Sequence, residues 1–155
     1  MITRPTTQQV LEDCAREVRE TLMPALPDPK LRVTLEMLEQ VLAQCALRAG
    51  HEMAWMAEEI AAIEPYVQQV VATVATAPSA AADALTALRS GRTDSLHLED
   101  RCHEYHLASE ALSCALEASL AAGNQALTAA GVTLLERRRD RETDLRPNFF
   151  FPGRA

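Results

Sequence analysis

The chain has 155 residues and a mass of 17.0 kDa, enough for one domain to fill its core without a metal or disulfide. Its net charge of −7 and sequence pI near 5.1 argue against a generic nucleic-acid or anionic-membrane footprint. Hydrophobic residues make up 48% and aromatics only 4%, so small aliphatic side chains must fill the interior, as closely packed Ala- and Leu-rich helices do.

The first predicted element is an amphipathic helix opened by Thr6, with Gln9 three residues on completing a capping box. Val10, Leu11, Cys14, Ala15, Val18 and Leu22 make its apolar face, and Pro24 and Pro27 end it. Asp28-Pro29 starts the second helix, an N-cap residue followed by proline at the first helical position. Leu31, Leu35, Leu38, Leu42, Cys45 and Ala49 give one stripe; Val33, Met37, Val41 and Leu47 give a second. Apolar on two sides, this helix is expected to be central. It reads as one element of about 35 residues, bent or broken at Gly50, with Pro65 interrupting it.

Tyr66 to Thr76 resumes helical spacing through valines, and Ala80 to Leu88 is a short Ala-rich helix. Ser90 to Ser95 is the clearest loop. A long helix follows over 96–122, with Leu98, Cys102, Tyr105, Leu112, Leu116 and Leu120 expected to face inward. Gly123-Asn124 breaks it, and Asn124 caps a last helix from Gln125 to about Thr143. Arg137, Arg138 and Arg139 near its C-terminal end complement the helix dipole. The expected fold is therefore all-α: an antiparallel up-down bundle over residues 1–146, with two long helices, several shorter ones, and an extended C-terminal tail over 147–155.

Cys14, Cys45, Cys102 and Cys114 are widely separated and form no CxxC pair, which suits small buried hydrophobes in a reducing compartment. Residues 1–7 lack the layout of a signal peptide, and no run of about 18 apolar residues occurs. A cytoplasmic location follows as an expectation, without nucleic-acid or membrane partners.

No catalytic motif stands out. Ser109, Ser113 and Cys114 sit inside a helix without a nucleophile elbow, and the five glycines are scattered. One polar stripe has metal-ligand chemistry: Glu99, His103, His106 and Glu110 are spaced 4, 3 and 4, on one helix face. His51 and Glu58, seven apart on the other long helix, could meet it across an interface. Strict Glu-x-x-His pairs, as in dinuclear bundle sites, are absent, so a solvated, salt-bridged face competes with a transition-metal site.

A partner surface is the leading reading. All three phenylalanines are consecutive, Phe149, Phe150 and Phe151, between Pro147 and Pro152. With Arg154 they form an aromatic, basic segment that either folds back on its own chain or, the favoured reading, docks on another subunit, like or unlike. Trp55, beside Met53 and Met56, reads first as core packing and second as a candidate contact.

Several segments together also resemble a known group. Arg4-Pro5-Thr6 with Val10-Leu11, His51-Glu52-x-x-Trp55-Met56, Ala108-Ser109-Glu110-Ala111-Leu112 and Gly153-Arg154 resemble small helical bacterial proteins associated with aminoglycoside-phosphotransferase-like kinases and acyl-CoA dehydrogenases. The resemblance implies a noncatalytic accessory subunit that supports a kinase acting on hydroxyacyl-CoA or a similar small substrate. It carries over no catalytic residue and no cofactor. The alternative remains a small helical-bundle metal-binding protein or enzyme using the His/Glu cluster.

Overall fold

The computed structural model describes residues 4–74 and 80–145. Every regular element among them is helical, as expected: α1 (Thr7–Glu17), a π-helical turn (Val18–Leu22), α2 (Met23–Ala25), α3 (Pro29–Thr73), α4 (Ala80–Ser90), α5 (Leu98–Ala121) and α6 (Gln125–Leu145). The chain divides into two compact units. One takes the described residues of Met1–Glu52 and Glu142–Ala155; the other is Met53–Arg141. No helix among the described residues is long and apolar enough to cross a membrane.

In the first unit, the capping box forms. The Gln9 N–H donates to Thr6 Oγ1 at 3.2 Å, and the Thr6 N–H donates to Gln9 Oε1 at 2.9 Å. Pro24 follows a π-helical turn with helical backbone at Leu22 and Met23, and it does not end the helical path. Leu26 ends it instead with extended backbone, because it precedes Pro27 and the proline ring disfavours helical geometry there. Asp28 then opens α3, its Oδ1 accepting the Lys30 N–H at 2.9 Å.

α1 lies on the face of α3 that carries Glu39, Ala43, Ala46 and Gly50. Arg19 Nε donates to Glu39 Oε1 at 3.1 Å, and a methyl group on Gly50 would meet the end of the Gln8 side chain. The contact is thin: Ala15, Val18 and Ala46 are the buried hydrophobic residues here. Val10, Cys14 and Leu22, expected inward, are exposed.

The second unit holds the main core. Ile60, Ile63, Val67 and Val70 of α3 pack with Leu85 and Leu88 of α4, Ala108, Leu112 and Ala115 of α5, and Leu127 of α6. Small residues on α5 let the neighbouring helices approach closely. α3 runs unbroken through Gly50 and Pro65, where the sequence suggested a bend and an interruption. Pro65 cannot donate to the Ala61 carbonyl, but both residues are exposed, so water can satisfy the orphaned oxygen. Burial of Ile63, Tyr66 and Val67 on the other side holds the helix together.

α5 also departs from its expected register. Its buried line is Glu104, Ala108, Ala111, Leu112, Ala115 and Ser119, whereas Leu98 and Leu120 face out. Glu104 is only 2% exposed and is neutralised by Arg101, whose Nη1 donates to Oε2 at 2.8 Å. Gly123 adopts a left-handed φ of 63°, and the Asn124 N–H closes the turn onto the Ser119 carbonyl at 3.0 Å. Asn124 then caps α6 through the Leu127 N–H at 3.1 Å. Ser109 meets Arg138 and Leu116 meets Gly131, so α5 and α6 run in opposite senses.

Candidate functional site

The structure does not gather the metal-ligand candidates. Glu99, His103, His106 and Glu110 share one face of α5, as their spacing requires, and all four are exposed. That face lies opposite the buried line of Ala108, Leu112 and Ala115, about 180° around the helix at 100° per residue. Glu58 meets Arg141, not an imidazole, with Arg141 Nη2 donating to Oε2 at 2.9 Å. His51 is exposed in the first unit. Among the described residues, no group of three or more His, Cys, Asp or Glu is placed to hold a metal ion. Phe149, Phe150, Phe151 and Arg154 lie outside the described residues.

What the second unit assembles instead is an arginine–glutamate cluster beside Trp55. Glu59 is its hub. Its Oε2 accepts the Tyr105 hydroxyl at 2.7 Å and Arg138 Nε at 2.9 Å; its Oε1 accepts Arg141 Nη1 at 3.2 Å. Arg138 is fixed twice more, by a 3.2 Å bond from Nη2 to Ser109 Oγ and by stacking over Tyr105 at 4.9 Å. Arg141 lies over Trp55 at 5.6 Å and donates to the Trp55 carbonyl at 3.3 Å. The half-buried Trp55 thus carries a cation rather than open solvent.

The cluster forms the charged wall of a cavity of about 160 Å³. Glu58, Glu59, Arg137, Arg138 and Arg141 supply the polar side, and Ala62, Ile63, Leu112 and Leu134 the apolar side. Three arginines against two glutamates leave one positive charge. Chemically this is a binding geometry. The arginines offer planar N–H donors, and the carboxylates are engaged as acceptors. Burial pushes the Cys114 thiol pKa up, and the charges of Glu110 and Glu117 push it further, which disfavours its thiolate. Ser109 spends its hydroxyl proton on the Tyr105 carbonyl at 2.8 Å.

Sequence reasoning missed Arg141 and assigned Arg138 only to the helix dipole. The available signal was their i, i+3 spacing on one face, complementary to the acids Glu58 and Glu59, with Glu58 read instead as a metal-ligand candidate.

A second feature lies in the first unit. To one side of the α1 contact on α3, Leu35 and Leu42 are half-buried while Leu31, Leu38, Cys45 and Val41 are exposed; Met37 and Val33, farther around, are exposed too. Leu31 is 49% exposed and Leu38 45%. The expected central helix is therefore open along one side of its N-terminal half. The apolar strip on this side is thus exposed among the described residues.

Comparison with protein-family models, with curated proteins and with solved structures returns no match.

Proposed function

We propose that this chain is a noncatalytic interaction subunit, and that the open side of α3 between Leu31 and Cys45 receives the same surface of a second copy. The exposed apolar strip on α3 carries the reading. Leu31, Leu35, Leu38, Leu42, Cys45 and Ala49 alternate 4-3-4-3-4, the repeat by which two helices interlock. Val41 borders the strip, and beyond it Lys30 and Arg48 share a sector with Met37, so the strip itself carries no charge while its edge is basic. Two-fold association is the commonest way to cover such a self-complementary face.

The sequence resemblance extends the proposal. The assembled subunit would accompany, in the cytoplasm, a phosphotransferase-like kinase that acts on hydroxyacyl-CoA or a similar small substrate. Phe149–Phe151, Arg154 and Trp55 are the sequence-derived candidates for the contact with that second protein. The resemblance is the support for this extension.

Sedimentation velocity on wild-type protein and Leu38→Glu tests the core of the proposal. Leu38 is already exposed, so the variant keeps its helicity by circular dichroism. Its dimer dissociation constant should rise at least tenfold, since a carboxylate replaces an apolar contact worth about 1–2 kcal/mol. A monomeric wild type, or a dimer indifferent to Leu38→Glu, contradicts it.

A further inference from the structure

We propose that the cavity in the second unit is a binding site for a short-chain monocarboxylate, with its carboxylate on Arg137 at the rim and its hydrocarbon body on Ile63, Leu112 and Leu134. This site is independent of the α3 strip.

Three observations converge. The first is an uncommitted cation. Arg138 and Arg141 are each tied to Glu59, but Arg137, exposed on the cavity wall, makes no hydrogen bond or ion pair among the described residues. A guanidinium offers paired N–H donors in the geometry of a carboxylate. The second is the charge balance. One surplus positive charge matches a monoanion, while Glu58 and Glu59 in the same wall oppose a phosphate dianion. The third is the floor. Ala62, Ile63, Leu112 and Leu134 line it with hydrocarbon, against which an apolar ligand body leaves water. A void of about 160 Å³ is of the size that holds a six-carbon hydrocarbon and is well below that of a nucleotide pocket. The preferred ligand therefore has about four to six carbons.

The frame is rigid before any ligand arrives. Glu59 fixes Arg138 and Arg141, Tyr105 backs Arg138, and Trp55 backs Arg141. Binding then needs to order only Arg137, which keeps its entropic cost low.

The test is titration of the full chain with butyrate, hexanoate, inorganic phosphate and hexylamine, followed by NMR. For so few non-hydrogen atoms the dissociation constant should be on the order of 1 mM. Hexanoate should shift the Ala62, Ile63 and Leu134 methyl resonances saturably, with butyrate weaker and phosphate and hexylamine silent. Arg137→Gln, an exposed substitution that leaves the Glu59 cluster intact, should weaken hexanoate about tenfold. Absence of saturable shifts at roughly ten times the expected constant overturns the proposal. So does phosphate or hexylamine binding as well as hexanoate, or hexanoate binding unchanged by Arg137→Gln.

Discussion

Gly131 and Gly50 both lie inside helices, yet alanine should act on them in opposite directions. Alanine in a helix interior gains about 1 kcal/mol over glycine at either site. At Gly50 the new methyl meets only the end of the Gln8 side chain, which can swing aside, so most of that gain survives. At Gly131 the methyl runs into the Tyr66 hydroxyl and comes within 2.9 Å of Leu116 Cδ1. Tyr66 is 6% exposed and cannot retreat. Overpacking of this kind costs about 1–3 kcal/mol. The Tyr66 hydroxyl also donates to Ser119 Oγ, 3.4 Å away, because the Ser119 proton is already used on the Ala115 carbonyl. Pushing the ring aside leaves a buried hydroxyl unpaired, for about 1 kcal/mol or more. The net is a loss of about 2 kcal/mol for Gly131→Ala, or roughly 4–8 °C in Tm at this chain length. Urea unfolding followed by circular dichroism gives both variants directly. Gly131→Ala as stable as Gly50→Ala would refute the packing assigned to α3, α5 and α6.

Glu59→Gln should lower stability by about 2–3 kcal/mol, less than a fully buried pair because Arg138 and Arg141 regain some water; urea midpoints measure it. Pro65→Ala should raise stability by up to about 3 kcal/mol, since it restores the bond to the Ala61 carbonyl in a continuous helix; a helix broken at that point would gain nothing. Cys114 should alkylate later than the exposed Cys14 and Cys45. Burial and two nearby carboxylates disfavour its thiolate in the folded chain. Stability therefore falls as pH rises past the unfolded thiol value, because the unfolded state loses its proton first. Peptide mapping across a pH series reads the alkylation order.

The all-α class and most helix starts were legible because they rest on local chemistry. Thr6, Asp28 and Asn124 cap within three residues of themselves, and Gly123 turns the chain on its own backbone freedom. Pro65 misled because helix propensity is a weak prior once Ile63, Tyr66 and Val67 are buried beside it. The register of α5 misled because counting leucines favoured Leu98 and Leu120 over a line of alanines. Those alanines let helices approach, and the charge of Glu104 is covered by Arg101. The cavity was hidden for a different reason. Tyr105 and Arg138 lie 46 and 79 positions from Glu59 in the chain, and no local spacing announces such a meeting. The polar stripe of Glu99, His103, His106 and Glu110 was legible as one face, but periodicity alone did not say which way that face points.

The most direct test of self-association through α3 is an isotope-filtered NOE experiment on a one-to-one mixture of carbon-13-labelled and unlabelled chains. The account predicts cross-peaks between the Leu31, Leu38 and Val41 methyls of one copy and the unlabelled protons of the other, at a solution mass twice the 17.0 kDa of the chain. A sample of single-chain mass in which those methyls show no intermolecular cross-peak would contradict it.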